Sequence, residues 1–552
     1  MHVLCRPDTS ACKHRRAPRF FALLLVFCSG TATAEGRADT QLDHEKLNEA
    51  ARKDYRTPVR PGVPGKTPFW NRYSRRFLYA PAFDFPEVPA AAKYRFQTAQ
   101  GLAFTSDQPY DSLTPIWDDI PVGPVELTVE ALDEDGKALS VAGTQRFYRA
   151  APFTSPYRDA VVGYRECALK GLHFLLTEPH VQHWKSSLEP DPNYSLYCYP
   201  SKVIGALVQA MALYGKLEPE HRDEALAVAK SAAGYLMRNS QPAGAVLAHW
   251  PPTYAGEKHA ARGQNHLVMW QEPSNVAEGY LDLFDATGER VYFEAAVRIA
   301  STYERSQAED GSWPLKADLA TGKTVSEQRC IPTYVTVFLD RLVAQYGETR
   351  FAPCRDAALG WMLQNPVRTY NWTGQFEDVG VNVDAYTNLQ RGDAATLAII
   401  LLSKSSRTDA TLKTALELIR FCEDQFVVWD KPNPDNWGRP AKGAPQDWAR
   451  DLRTWSPPCV LEQYKYYVPV DASAASMILA YAKAYEATGE QLYLAKATAL
   501  ANMMTIWQDM QSGYLPTRWL VGRGDINWLN CATYDIQALL TLDSVLSKTT
   551  ER

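Results

Sequence analysis

The apolar residues beyond Ser155 recur with the period of a helix. Residues 224–237 and 293–303 place apolar side chains on one stripe and charged side chains opposite, a pattern typical of amphipathic helices. The stretch Tyr280–Glu289, ending in Ala-Thr-Gly-Glu, returns as Tyr481–Glu490 with the same four final residues. Because each copy leads from one helical run to another through a glycine-containing turn, each predicts a helical hairpin.

Weaker copies of this turn at 213–216 and 345–348 give the hairpins a regular spacing. Successive turns are separated by roughly 60 to 80 residues, which indicates a repeated unit. With a first helix near 157–177 and a last one after Thr533, about six hairpins fit, enough to close a ring. The fold predicted for residues 153–548 is therefore mainly α, an (α/α)6 toroid with its function on the concave face.

Ahead of the helices, apolar and polar residues alternate with period two. Tyr94–Thr98, Val125–Glu130 and Gln145–Tyr148 follow this pattern, which is typical of half-buried antiparallel strands. Residues 67–152 therefore predict a small antiparallel β-sandwich, and residues 116–123 resemble the segment ahead of a central strand in fibronectin-like modules. Since it offers no clustered titratable groups, we expect an accessory domain that packs against the ring.

The start of the chain has the organisation of an export signal. Residues 1–34 combine positive charge, the apolar run Phe20–Phe27 and the small-residue cleavage site Ala32–Ala34. We expect a mature chain beginning with a linker over 35–66, in the periplasm or secreted. A lipid anchor at Cys28 is less favoured, because the residue before it is a bulky phenylalanine.

Charge and cysteine content exclude several classes of function. A net charge of −5 over 552 residues steers the protein toward neither nucleic acid nor an anionic membrane. Seven of the ten cysteines follow the signal; they are scattered, without the pairing of a disulfide framework or the spacing of a zinc site. We expect them to be mostly small buried hydrophobic residues. No glycine-rich phosphate loop follows a strand, so no organic cofactor is implied.

The long connections are where function is expected. Loops longer than about 15 residues in a compact domain are usually functional or disordered, and these are rich in Trp, Tyr, Asn and Asp. Aromatic side chains with a polar edge suit the faces of sugars, although packing of the loops explains them equally well. The five connections follow outer helices and would converge on one face: 240–271, 308–334, 365–389, 424–471 and 511–532.

The whole arrangement resembles the α/α-toroid, or six-hairpin, carbohydrate-active enzymes. The resemblance covers about Tyr157 to Leu546 and rests on the hairpin period and on the loop Asp310–Pro314, Asp-Gly-Ser-Trp-Pro. Residues 371–378 and 462–471, with Asn527–Cys531, are similar to segments of exported bacterial toroid proteins with β-glucuronidase activity on plant glycans. The resemblance implies action on an oligo- or polysaccharide, but the scaffold hosts several chemistries.

Glycoside hydrolysis needs two carboxyl groups that flank the scissile bond. Glu377 or Asp378, among loop aromatics that would raise a carboxyl pKa, is our candidate general acid. Glu462 is the candidate partner carboxylate. Glu272 is a candidate substrate-binding residue. Because it begins a predicted inner helix, stabilisation of the helix dipole explains its presence equally well.

Further residues are predicted to bind substrate. Arg391 or Arg518 would read the carboxylate of an acidic sugar, because guanidinium pairs with carboxylate in two-pronged fashion. Aromatic and amide side chains of the same loops complete the predicted binding set: Trp372, Tyr386, Asn388, Tyr464, Tyr467, Trp528 and Asn530.

Two alternatives stay open at this point. β-Elimination or C5-epimerisation of a uronic acid needs a Tyr, His or Lys base, and the sequence offers several tyrosines with His249, His259 and His266. A metal site is disfavoured, because these histidines lack ligand spacing. The other alternative is a glycan-binding toroid without catalysis, which would need no acid pair.

Overall fold

The structure is a computed structural model, and it describes residues 43–59, 73–378, 380, 384–403, 407–431, 454–521 and 527–550. The predicted signal peptide lies outside these residues. The predicted linker lies partly outside them, but its described part contains helix α1, His44–Tyr55, with Leu47, Ala51 and Tyr55 buried.

A small β module follows α1. Its strands are β1 (Arg76–Phe77), β2 (Ala82–Asp84), β3 (Lys93–Thr98), β4 (Ala103–Ser106), β5 (Tyr110–Ser112), β6 (Gly123–Leu132) and β7 (Ala138–Arg149). Five of them form a sheet in the order β1-β7-β6-β3-β4, antiparallel except for β1 beside β7, while β2 pairs with β5. Along β6, Val125, Leu127 and Val129 are buried and the intervening residues face outward, as the alternation predicts.

Helices predominate among the described residues after the β module. In chain order they are α2 (Tyr164–Thr177), α3 (Pro179–Gln182), α4 (Gly205–Leu217), α5 (Arg222–Arg238), α6 (Glu272–Thr287), α7 (Arg290–Ser306), α8 (Thr333–Tyr346), α9 (Ala352–Gln364), α10 (Pro366–Thr369), α11 (Gly392–Ser403), α12 (Asp409–Phe426), α13 (Asp471–Thr488), α14 (Gln491–Trp507) and α15 (Leu529–Thr550). Short strand pairs in the loops join β8 (Leu267–Met269) to β9 (Lys316–Asp318) and β10 (Val427–Val428) to β11 (Cys459–Val460).

Twelve of the described helices form two concentric rings. The inner helices α4, α6, α8, α11, α13 and α15 each contact the next, and α15 returns to contact α4. Each outer helix contacts an inner partner: α5, α7, α9, α12 and α14 follow theirs in the chain. The sixth pair joins the first and last helices, since α2 packs on α15. The predicted (α/α)6 toroid with a small β module is confirmed.

The repeated turn noted in the sequence has one geometry in both copies. Gly288 and Gly489 end α6 and α13 with φ of 75°, a left-handed conformation that glycine adopts without strain. The hydroxyl of Thr287 accepts a hydrogen bond from the backbone N–H of Glu289 at 3.2 Å, and that of Thr488 accepts one from Glu490 at 3.1 Å. The same four residues therefore build the same turn.

The loops after α7 and α14 dock on the next outer helix in the same way. Gln307 donates through Nε2 to the carbonyl of Cys354 on α9 at 2.9 Å. Gln508 donates through Nε2 to the carbonyl of Cys167 on α2 at 2.8 Å. The loop after the last outer helix, α14, therefore contacts the first outer helix, α2, in the same way as the loop after α7 contacts α9.

A glycine permits each of these contacts. A Cβ on Gly311 would lie 2.3 Å from the carbonyl oxygen of Ala357, and one on Gly513 would lie 2.3 Å from that of Lys170. Both glycines also have positive φ, 86° and 85°. Any larger residue would push the loop away from the neighbouring helix.

The β module and α1 are fastened to the ring through the end of α12. The carboxylate of Asp424 accepts from the backbone N–H groups of Leu78 and Tyr79 at 2.6 and 2.8 Å. Glu423, fully buried, accepts from Tyr55 and Lys496, each at 2.7 Å. The N-terminal part therefore packs against the ring, as expected for an accessory domain.

Candidate active site

The inner helices begin around a cavity of about 600 Å³ on one face of the toroid. The long loops that follow the outer helices supply its walls, as the sequence predicts. Eight of the predicted site residues line it: Glu272, Glu377, Asp378, Arg391, Glu462, Arg518, Trp528 and Asn530. A cavity of this size accommodates a ligand larger than one sugar ring.

Glu377 is held in a clamped loop that follows α10. Gln375 fixes the loop, because its amide accepts from the backbone of Ile331 at 2.8 Å and donates to the carbonyl of Arg329 at 2.7 Å. The hydroxyl of Tyr254 donates to the carbonyl of Glu377 at 2.7 Å. The backbone is thereby pinned from two other loops, and the side chain of Glu377 is directed into the cavity wall, 6% exposed.

Lys202 forms an ion pair with Glu377, 2.7 Å from Nζ to Oε2. Lys202 lies in a π-helical turn, Pro200–Ile204, ahead of α4, and such turns often occur at functional sites. Burial lowers the pKa of Lys202, but the attraction of Glu377 and Glu272 outweighs it and the net pKa is raised. Glu377 therefore faces a lysine that holds its charge.

Two other carboxyl groups of the cavity lining have pKa values that burial raises. Burial raises the pKa of Glu272 from 4.5 to about 7 against the attraction of Lys202. Loss of surrounding water likewise raises the pKa of Glu462 to about 7, with Arg391 opposing the rise. Glu272 is almost fully buried at 4% exposure, whereas Glu462 is only half-buried and presents its side chain to the cavity. Near neutral pH both groups can carry a proton.

Asp378 and Asp393 complete the acidic lining. The pKa of Asp378 is raised by loss of water and by its neighbour Glu377. Asp393, on the first turn of α11, accepts from Thr333 at 2.6 Å and from Gln390 at 2.7 Å. Burial raises the pKa of Asp393 to about 6 despite these bonds. Asp393 is fully engaged by its neighbours, so we assign it to holding the wall.

Trp528 and Tyr199 form an aromatic wall beside Lys202. Their rings are nearly parallel, 14° apart with centroids separated by 6.1 Å, so they lie offset. The ammonium of Lys202 lies 5.2 Å from the centre of the Trp528 ring, within the range of a cation–π contact. The backbone N–H of Trp528 donates to Thr517 at 3.1 Å. This wall supplies the apolar face that a sugar ring uses for stacking.

Five predicted binding residues lie behind the cavity rather than in its lining. Trp372 is fully buried, and Tyr386 stacks on Tyr73 with ring centroids 5.2 Å apart. Tyr464 and Tyr467 are buried and donate to Gln425. Asn388 is 2% exposed and donates to Gln463, which does line the cavity. The structure thus gives all five a place in packing or in support of the wall.

Several cavity residues were missed by the sequence reasoning. Lys202 stands alone in its segment and matches no motif, and its importance comes from Glu377, far away in the chain. Tyr334 on α8 and Tyr534 on α15 both line the cavity. Tyr199 could have been noticed as part of an aromatic stretch before a helix, Tyr197–Pro200.

Among the histidines proposed as bases, His259 alone belongs to the described cavity lining. It is exposed at the rim and shares a 2.8 Å hydrogen bond with Ser195. No group of three or more His, Cys, Asp or Glu within the described residues has the geometry to hold a metal ion. All seven cysteines after the predicted signal are buried, as expected.

No protein-family model matches the chain, and no curated protein matches it. Solved structures with similar folds include a cellobiose 2-epimerase from Spirochaeta thermophila, 11% identical with a TM-score of 0.49, where the match covers 70% of this chain and 98% of that one. A family 76 glycoside hydrolase from a bovine Bacteroides thetaiotaomicron strain is 10% identical with a TM-score of 0.43, over 83% and 94%. An unsaturated glucuronyl hydrolase specific for heparin is 10% identical with a TM-score of 0.44, over 70% and 98%. At these values the function has to be argued from the cavity alone.

Proposed function

We propose that this protein is a glycoside hydrolase that cleaves a uronic-acid-containing glycan by general acid–base catalysis, in the manner of a β-glucuronidase. The observation that carries the proposal is the pairing of two unlike carboxyl groups in one cavity. Glu377 is ion-paired with Lys202, whereas the pKa of Glu462 is raised to about 7. A carboxyl group paired with a lysine and a second one with a raised pKa in the same cavity are the candidates for base and acid, respectively.

We assign Glu462 as general acid, protonating the glycosidic oxygen, and Glu377 as the carboxylate that acts as base or nucleophile. This exchanges the roles hypothesised from the sequence, because the sequence did not reveal the ion pair with Lys202. Glu272 is the more deeply buried of the two raised carboxyl groups, and Asn275 holds it at 3.2 Å. Glu462 is therefore the better placed acid for a substrate in the cavity.

An acidic sugar fits the cations of the same lining. Lys202, Arg391 and Arg518 all line the cavity, and a guanidinium pairs well with a sugar carboxylate. The aromatic wall of Trp528 and Tyr199 suits a neighbouring sugar ring. If residues 1–34 are removed on export, the enzyme would act on glycans outside the cytoplasm.

Elimination and epimerisation are less well supported by the tyrosines. A catalytic tyrosine base has to lose its proton, but burial raises the pKa of Tyr199, Tyr334 and Tyr534. A protonated phenol is the form that these environments favour. A non-catalytic binding protein would have no need of a carboxyl group with a pKa raised to about 7.

The first test is incubation of the purified protein with a panel of uronic-acid oligosaccharides, following reducing ends and the ultraviolet absorbance of unsaturated uronates together. Reducing ends without absorbance support hydrolysis. Reducing ends that rise with absorbance would replace hydrolysis by elimination. Binding without either product would favour the non-catalytic alternative.

The second test assigns the roles by leaving group. Glu462→Gln should lose about 10²- to 10⁴-fold in rate on a phenyl glucuronide, whose leaving group needs a proton, and far less on a 2,4-dinitrophenyl glucuronide. Glu377→Gln should lose activity on both substrates. Glu278→Gln serves as the control, because Glu278 on α6 is a carboxylate that also pairs with a cation, Arg341, but lies outside the cavity lining. Equal losses in Glu462→Gln on both substrates would remove Glu462 as the acid.

A further inference from the structure

Arg391 is a buried cation without a countercharge. It lines the cavity but is only 8% exposed. Its Nη2 donates to the hydroxyl of Ser473 at 2.5 Å, while its Nε has no hydrogen-bond partner among the described residues. Within that part of the chain it forms no ion pair, unlike Arg341, which pairs with three carboxylates.

The neighbouring acids do not neutralise Arg391. Glu462 attracts it most strongly, yet the pKa of Glu462 is itself raised to about 7, so this group is partly protonated near neutral pH. Asp393, two residues along the chain, is occupied by Thr333 and Gln390. Burial of an unpaired charge is costly, and a site that keeps one is complete only when a ligand brings the opposite charge.

Two further buried polar atoms of the lining have no partner in the described structure. They are Oε1 of Gln271, 8% exposed, and Oδ1 of Asn530, 4% exposed. Both are amide oxygens, which accept hydrogen bonds. The cavity wall thus contains one unsatisfied cationic donor and two unsatisfied acceptors, complementary to a ligand with one carboxylate and several hydroxyl groups.

We propose that Arg391 recognises the carboxylate of a hexuronic acid, with Gln271 and Asn530 accepting from the hydroxyl groups of the same sugar. This deepens the proposed function and rests on it for the identity of the sugar as part of a glycan. The ligand must be the free acid, because an ester or amide brings no charge to Arg391. The unfilled site is electrostatically strained, and an anionic sugar relieves it.

The test is equilibrium binding of methyl 1-thio-glucuronide, which resists hydrolysis, its uronamide and methyl 1-thio-glucoside to the intact protein by calorimetry. The wild type should bind the uronate at least about tenfold more tightly than the uronamide, the effect of one charge-assisted hydrogen bond. Arg391→Met should abolish that preference, and Arg391→Lys should restore only part of it, because lysine lacks the planar fork. Equal wild-type affinity for uronate and uronamide would overturn the proposal without any variant.

The stability of the empty protein gives an independent readout. Arg391→Met should leave the melting temperature unchanged or raised, because it removes an unpaired buried charge. Arg341→Met, the matched control, should lower it, because three carboxylates lose their partner. A marked loss of stability in Arg391→Met would show that Arg391 is balanced within the protein. Loss of uronate preference in Arg518→Gln, with Arg391→Met unaffected, would assign the role to Arg518.

The outcomes also separate this inference from the proposed function. Uronate binding that depends on Arg391, without turnover of any glycan, would refute the hydrolase and leave the binding site standing. Turnover of uronic-acid glycans with no dependence of affinity on the carboxylate would support the hydrolase and refute the assignment of Arg391.

Discussion

Replacing Glu272 by glutamine should stabilise the protein at alkaline pH and not at acid pH. Glu272 is 4% exposed, and its burial raises the pKa from 4.5 to about 7. Between these values the folded state keeps a proton that the unfolded state has released. Stability therefore falls as pH rises through this window, and the cost of the ionised group is complete above pH 7.

The size of the effect follows from the same rise in pKa. At about 1.36 kcal/mol for each pKa unit, the ionised carboxylate costs roughly 3 kcal/mol of unfolding free energy. Glutamine is neutral at every pH, and its amide oxygen still accepts from Asn275. The difference in unfolding free energy between Glu272→Gln and wild type should therefore grow by about 3 kcal/mol between pH 4.5 and about pH 8.5.

Urea unfolding followed by tryptophan fluorescence at the two pH values measures this difference. Glu377→Gln is the matched comparison in the same cavity. It should destabilise at about pH 8.5, because Lys202 loses the partner that lies 2.7 Å away. A Glu272→Gln effect that is equal at both pH values, or a loss of stability that grows with pH, would refute the reasoning that burial dominates the environment of Glu272.

Three further predictions concern catalysis and the ring. The kcat/KM of the wild type should fall as pH rises above about 7, because Glu462 then loses the proton it donates; a pH profile that stays flat to pH 9 on a phenyl glucuronide would contradict its role. Lys202→Met should lower kcat/KM, with Lys202→Arg restoring part of it, because Lys202 is the ion-pair partner of Glu377 in the cavity wall; unchanged activity in Lys202→Met would show that catalysis does not need the ion pair. Gly513→Ala should destabilise by about 2 kcal/mol or more, measured as a drop in melting temperature, because its Cβ would meet Lys170. Gly489→Ala, with positive φ but no atom within 4 Å of the added Cβ, should lose less; equal losses would mean that the ring contact adds nothing.

The fold was predictable because its signals are local and repeated. The Ala-Thr-Gly-Glu turns fix where hairpins reverse, and their spacing sets the number of hairpins. The number of predicted hairpins indicated a closed ring of six pairs. Nothing in the sequence indicated directly that α2 contacts α15. Helix α1 was missed, because a short amphipathic segment beside a predicted signal looks like a linker until the surface that buries it is known.

The site was predictable only in part, because charge pairing is not local. Glu377 and Glu462 were found from their aromatic neighbourhoods, but the ion pair that distinguishes them joins Glu377 to Lys202, 175 positions earlier. Aromatic residues in the loops were the weakest predictors of which side chains line the cavity. Trp372 and Trp528 both lie in long loops, yet one is fully buried and the other lines the cavity.

The pairing of the first helix of the ring with the last has a consequence for biosynthesis. Helix α2 is made early, but its partner α15, residues Leu529–Thr550, is made after every other described helix of the ring. Until then the apolar sides of α2, α4 and α13 that α15 covers stay open to water and to other chains. A message cut short before Leu529 would therefore yield an open arc prone to aggregation.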